Sequence, residues 1–173
     1  MKIIVLICVL LFSTTALSQT RSRTSTRRGT QSSKSQPASG AVAGARTSGA
    51  TRIADQIKNL TKFVYLLGGV AKGIEQVDEA ARKNEASPTA LQQNAQNKAA
   101  VKTSLQNVRE GLDALEIYFR STPGLEGYYL KLAGSASGAA TAEEQAAAGR
   151  FDQAGRTLLG VVNRLTDVLL VMR

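Results

Sequence analysis

The sequence predicts an all-α protein, an antiparallel bundle of three long helices running up, down and up, with a short fourth helix. Three observations predict this fold. Apolar residues recur at spacings of three and four through three segments of similar length. Serine, proline and glycine separate these segments. No stretch after the first 18 residues alternates apolar and polar side chains for long enough to indicate a strand.

The first 18 residues have the order of a secretory signal peptide. Lys2 precedes an unbroken apolar run at residues 3–12, and the small-residue pattern ALS follows, which predicts cleavage after Ser18. The alternative is a transmembrane anchor, which needs about 20 predominantly apolar residues, and this run is shorter. We therefore expect an exported protein, periplasmic or extracellular.

Cysteine and histidine usage argues against several chemistries. Cys8 is the only cysteine and lies inside the signal segment; a lipoprotein would be lipidated there, but Ile7 stands where such sites carry a small residue. We therefore expect no disulfide. The chain has no histidine, which removes the commonest general base and zinc ligand. We predict a protein that is not an enzyme and has no cofactor or metal site.

Residues 19–50 form a basic tail rich in serine, threonine, arginine and glycine. The tail has no acidic residue and Val42 is its only large aliphatic side chain, so we expect it to be disordered. Residues 51–173 are nearly balanced, with 15 Lys/Arg against 13 acids. The basic side chains of the tail are candidate contacts for a polyanion: Arg21, Arg23, Arg27, Arg28, Lys34 and Arg46.

Residues 51–173 form the predicted helical domain. Ser87-Pro88 has the pattern of an N-cap followed by the first helical position, and Thr141 and Glu144 have the spacing of a capping box. The stretch GSASGAA before Thr141 is predicted as a flexible connection, and the short tyrosine-containing helix is predicted to cover one end. The helices are expected at about 52–85, 88–121, 125–133 and 141–172.

The apolar seams leave one alternative to a compact bundle. An extended coiled-coil dimer uses the same spacing, because a/d seams also serve partner chains. The short loop at Ser87 favours a chain that folds back on itself. A homo-oligomer is compatible with either arrangement.

Three glycines interrupt the first helix, at Gly68, Gly69 and Gly73. Each costs up to about 1 kcal/mol relative to alanine. We expect the close approach of a neighbouring helix or a local bend there. A ligand approaching the backbone is the alternative.

Carboxylates and aromatic residues supply the remaining candidate chemistry. Asp78–Arg82 and Glu79–Lys83 have the spacing of surface ion pairs, and a helical-bundle metal site would need the missing histidine. Six aromatic residues are expected to form a core or end cluster, with a shallow ligand pocket as the alternative: Phe63, Tyr65, Tyr118, Phe119, Tyr128 and Tyr129.

The last apolar segment is apolar on all sides, which a surface helix is not. It is either covered by the bundle or exposed as a contact patch for a partner or membrane surface. This candidate partner patch comprises Val168, Leu169, Leu170, Val171 and Met172.

Three hypotheses for function follow. The first is an exported, non-enzymatic helical bundle that acts through contacts with an unknown protein or envelope component. The second is binding of a polyanion (anionic lipid, envelope polymer or nucleic acid) through the basic tail. The third is a small-ligand carrier or enzyme that uses the bundle interior.

Overall fold

The structure is a computed structural model that describes residues 38–172, and these residues form helices and connections without any strand. The predicted signal peptide, residues 1–18, and residues 19–37 of the predicted tail lie outside the described residues. The helices are α1 (Ala38–Arg82), α2 (Pro88–Ser121), α3 (Glu126–Leu132), α4 (Ser135–Ala147) and α5 (Phe151–Val171).

Four of these helices form a ring in which each packs against two neighbours. α1 lies between α2 and α5, and α4 lies between the same two helices on the opposite side. Neighbours are antiparallel: Glu116 of α2 meets Ala136, while Arg109 meets Glu143, so α2 and α4 run in opposite directions. The prediction of an all-α bundle is confirmed, but the main helices number four instead of three. As predicted, α3 covers one end, against α2 and α5.

Most of the large buried side chains recur at the three- and four-residue spacings that predicted the long helices, and the buried alanines of α4 add to them. Burying a leucine, isoleucine or phenylalanine side chain contributes about 1.5–3 kcal/mol, so these residues are the main source of stability. The largest fully buried apolar side chains are Ile53, Leu60, Ile74, Leu105, Leu112, Phe119, Leu125, Leu132, Leu158, Leu165 and Val168.

The first helix begins at Ala38, earlier than the predicted residue 52. Residues 38–50, which we predicted as part of the disordered tail, are therefore helical. Packing explains the difference: a Cβ on Gly49 would lie 3.0 Å from the Phe119 ring and 3.2 Å from Leu125. The small residues of this segment allow close helix contact, and the contact offsets the chain entropy that made disorder the expectation.

The loop between α1 and α2 follows the predicted chemistry. Asn84 adopts a positive φ of 59°, and the N–H of Glu85 donates to the Ala80 carbonyl at 2.8 Å, a Schellman ending of α1. The Ser87 hydroxyl then accepts from the N–H of Ala90 at 3.2 Å. The predicted N-cap, with proline at the first helical position, is confirmed.

The predicted helix at 141–172 is two helices. Gly149, with φ of 74°, ends α4, and the N–H of Arg150 donates to the Gln145 carbonyl at 2.8 Å. Thr141 lies inside α4 and donates to the Ser137 carbonyl at 3.1 Å. The predicted capping box at Thr141 and the flexible GSASGAA connection are therefore wrong.

Tertiary contacts support the first turn of α4, where serine and glycine are poor helix formers. The Glu116 carboxylate accepts from the N–H of Ala136 at 3.0 Å and so satisfies an orphan donor of the first turn. A Cβ on Gly138 would lie 2.7 Å from a Val161 methyl, so glycine allows α4 to pack tightly on α5.

Gly68, Gly69 and Gly73 of α1 lack the close helix contact that was predicted for them. A Cβ on Gly68, Gly69 or Gly73 would meet nothing within 4 Å among the described residues. The expected close approach of a helix of the same chain is therefore wrong at these positions. Gly49 and Gly138 are in close contact instead.

Candidate functional site

Arg46 is the one candidate polyanion contact that the structure describes, and it is engaged within the fold. Its Nη2 donates to the Met172 carbonyl at 3.0 Å, and its guanidinium carbon lies 5.9 Å from the centroid of the Tyr128 ring. A cation at a helix C-terminus is stabilising because it opposes the helix dipole. Arg46 therefore caps α5, which corrects its prediction as a free anion contact.

The other five candidate contacts cannot be placed. Arg21, Arg23, Arg27, Arg28 and Lys34 lie outside the described residues. Their assignment to a polyanion stays a prediction.

The candidate partner patch divides into buried and exposed parts. Val168 and Met172 are buried, and Leu169 packs against the edge of the core. The predicted patch is wrong at Val168 and Met172, because the three-four seam of α5 continues through these two residues. Leu170 and Val171 remain 56% and 48% exposed.

The start of α1 and the end of α5 meet at one end of the bundle, next to α3. We call this the α3 end; it comprises residues 42–52, 117–132 and 168–172. Besides the Arg46 contact, a Cβ on Gly49 would lie 3.1 Å from the Met172 methyl. A Cβ on Gly124 would lie 2.9 Å from a Val42 methyl. No sequence pattern indicates that residues 42–50 and the last apolar segment lie together.

Two more large apolar side chains are exposed at the α3 end. Ile117 of α2 and Leu130 of α3 are exposed, as are Leu170 and Val171. Scattered exposed apolar residues are normal on any protein. These four side chains lie at the end of the bundle where α1 begins.

Four of the six aromatic residues lie at the α3 end. Tyr118 and Phe119 form an edge-to-face pair with centroids 5.9 Å apart, and the Arg52 guanidinium lies 4.2 Å from the Tyr118 centroid. Tyr128 and Tyr129 pack partly buried against the core. Phe63 packs against the core from α1, and Tyr65 is exposed. An end cluster therefore forms from four members.

The acidic residues near the end of α1 form a polar cluster that sequence reasoning identified only in part. Glu79 pairs with Lys83 at 2.7 Å, as predicted. The predicted Asp78–Arg82 ion pair is wrong. The Asp78 carboxylate instead accepts from Asn94 Nδ2 at 2.6 Å and Lys98 Nζ at 2.7 Å.

Asn94 is a buried polar residue that the sequence analysis missed. It is 5% exposed, and its side-chain oxygen has no hydrogen-bond partner among the described residues. Its position seven residues before Val101 places it on the seam of α2, which is the signal that could have found it. A buried amide that bonds a carboxylate favours one register between α1 and α2.

A cleft of about 340 Å³ lies beside this cluster, where the α4–α5 turn meets α1 and α2. Val101, Ala146 and Phe151 line its apolar part. Its charged rim includes Lys98, which forms an ion pair with Asp78. Glu143 also lines the cleft and pairs with Arg109 at 3.4 Å. It is the described feature that the small-ligand hypothesis would use.

Residues 38–172 contain no cluster of three or more potential ligands among Asp, Glu, Cys and His that could hold a metal ion. No helix within the described part of the chain is long and apolar enough to cross a membrane.

Comparisons with known proteins identify no relative. The sequence matches no protein-family model, and neither a curated protein nor a solved structure matches the chain.

Proposed function

We propose that this protein is an exported, non-enzymatic binding protein that contacts an envelope component through the α3 end. The component is recognised by exposed apolar side chains. Leu170, Val171 and Leu130 supply these contacts. The basic residues 19–37 precede α1 in the sequence, and α1 begins at this end.

The observation that carries this proposal is the hydrogen bond from Arg46 to the Met172 carbonyl. It joins the first turns of α1 to the end of α5, so two residues that are 126 positions apart in sequence share one end of the bundle. Side chains on a well-packed part of the fold lose little conformational entropy when they bind, and this favours affinity.

Fractionation of the native host tests the proposal. In the double variant Leu170→Gln/Val171→Gln, we expect the protein to shift from the envelope fraction to the soluble fraction. Both side chains are exposed, so helicity by circular dichroism should stay unchanged. The matched control is Leu66→Gln/Leu91→Gln, which alters two similarly exposed leucines away from the α3 end. Equal retention of both double variants in the envelope fraction would refute the proposal.

A second candidate function, polyanion binding through the tail, is favoured by the charge distribution. Residues 19–37 hold five basic residues and no acid. Because Arg46 is engaged within the fold, five cations remain for a polyanion. Each cation–phosphate contact contributes up to about −0.9 to the log–log salt slope, so engagement of all five predicts a slope of about −4.5.

Deletion of residues 19–37 tests this second candidate. The deletion leaves α1 intact, because α1 begins at Ala38. Binding to heparin and to anionic lipid vesicles, measured against salt concentration, should lose its salt-dependent part. If the shortened protein binds as the full chain does, the tail is only a spacer.

A further inference from the structure

Two glycines in different helices are not explained by contacts within the chain. Gly68 of α1 and Gly155 of α5 each cost about 1 kcal/mol relative to alanine. A Cβ at either position would meet nothing within 4 Å among the described residues. Alanine would fit at both positions without a clash in the monomer, so packing within the chain does not require glycine there.

These two glycines line the same groove between α1 and α5. The groove has a volume of about 330 Å³ and an apolar floor that includes Val64 and Leu67. Leu159 borders it and is 46% exposed. Tyr65, one turn before Gly68, is 83% exposed. On this side of the bundle, depressions at Gly68 and Gly155 lie near the protruding side chains of Tyr65 and Leu159.

Asp152 and Arg156 also line the groove, and its uncharged residues continue into a longer strip, which we call the α1–α5 strip. Its α5 members include Thr166, whose hydroxyl donates to the Val162 carbonyl at 2.9 Å and so is satisfied within its own helix. Charged residues stand at the margins, among them Lys58, Asp152 and Arg156. The strip comprises Ala50, Ala54, Ile57, Thr61, Val64, Tyr65 and Gly68 of α1, with Gly155, Leu159, Val162, Thr166 and Leu169 of α5.

The size of the strip suits a reversible protein interface. From Ala50 to Gly68 it extends about 27 Å at 1.5 Å per residue, and two adjacent helices present a width of about 20 Å. Each copy would thus bury about 500–600 Å². The total of about 1,000–1,200 Å² is at the lower limit of specific interfaces.

We propose that the α1–α5 strip is a homodimer interface, which packs against the same strip of a second copy. A two-fold contact is isologous, so one surface must carry both the protrusions and the depressions that receive them. The strip meets this requirement, with Tyr65 and Leu159 beside Gly68 and Gly155. The folded region is nearly balanced in charge, so two copies meet without strong repulsion. This inference does not rest on the proposed function, because the strip runs along the side of the bundle.

Sedimentation velocity across a concentration series tests the dimer. The wild-type protein should show a monomer–dimer equilibrium. Gly68→Glu and Gly155→Glu should each raise the dimer dissociation constant at least about tenfold, because each buries a charge in the contact. Neither variant strains the monomer, since both positions have open space for a side chain.

Matched controls exist in the same two helices. Gly73 and Gly160 also have open space around a Cβ, but each lies five residues, or about 140° around the helix, from Gly68 and Gly155 respectively. Gly73→Glu and Gly160→Glu should therefore leave the dissociation constant within about twofold of wild type. A wild-type protein that stays monomeric at every concentration overturns the inference. Equal effects of Gly68→Glu and Gly73→Glu also overturn it.

Discussion

At the scale of single residues, surroundings decide what a glycine contributes. Gly138 is required because α4 and α5 approach within contact distance there. Gly69 occupies open helix surface and has no such requirement. The sequence marks both only as helix-weakening residues, because helix propensity carries no information on what lies opposite a residue.

Alanine substitutions separate these two situations. Gly138→Ala should lower the free energy of unfolding by about 1–3 kcal/mol, because the new methyl group would lie 2.7 Å from buried Val161. Gly69→Ala should raise it by up to about 1 kcal/mol through helix propensity. Urea denaturation measures both. A stabilised Gly138→Ala variant would contradict the close α4–α5 packing.

Arg46 illustrates a residue whose role changes with its context. In the sequence it is one of six cations in an acid-free segment, whereas in the structure it caps α5. Arg46→Met keeps the apolar stem but loses the cap and the aromatic contact, so it should lower the free energy of unfolding by about 1–2 kcal/mol. Lys102→Met, at an exposed position in the middle of α2, is the control and should change little. Equal stabilities of the two variants would argue against the cap.

At the scale of helices, apolar periodicity predicted the elements that depend on it. The seams containing Leu60, Leu105 and Leu158 each lie in a helix, as expected. The first turns of α4, before Thr141, and the first turns of α1 were not predicted, because their residues are small and contacts with other helices support them. Glu116, near the C-terminal end of α2, accepts a hydrogen bond from the start of α4, and no local pattern around residue 136 reveals this partner.

Glu116→Ala tests whether α4 depends on that remote carboxylate. Loss of the acceptor leaves the N–H of Ala136 unpaired, which should cost about 1–2 kcal/mol. Hydrogen exchange should accelerate most in the first turns of α4. Glu110→Ala, an exposed position of the same helix, is the control. If exchange in α4 is unchanged, the cap does not stabilise the helix.

At the scale of the whole molecule, the boundary between tail and bundle lies near residue 38 and not near residue 50. Three of the predicted contact residues instead stabilise the fold: Arg46, Val168 and Met172 pack together or hydrogen-bond at the α3 end. The exposed remainder of the patch, Leu170 and Val171, was predicted as contact surface. Leu170 and Val171 lie near the start of α1 because of how the helices pack, and the sequence alone does not predict this.

Two deletions test this boundary. Removal of residues 19–37 retains every described core contact, so the midpoint of urea denaturation should stay unchanged. Removal of residues 19–50 also removes Val42, Arg46 and Gly49, and should lower the free energy of unfolding by roughly 3 kcal/mol or more. If both shortened proteins are equally stable, the first turns of α1 are not part of the bundle.

The central claim, that the protein acts through its α3 end, is tested most directly by site-specific photo-crosslinking in the native host. A photoreactive phenylalanine analogue would replace Leu130, Val171 or Leu91, three exposed side chains of which only the first two lie at the α3 end. We expect crosslinked adducts with an envelope component at 130 and 171, and none at 91. Adducts of equal yield at all three positions, or only at 91, would contradict the claim.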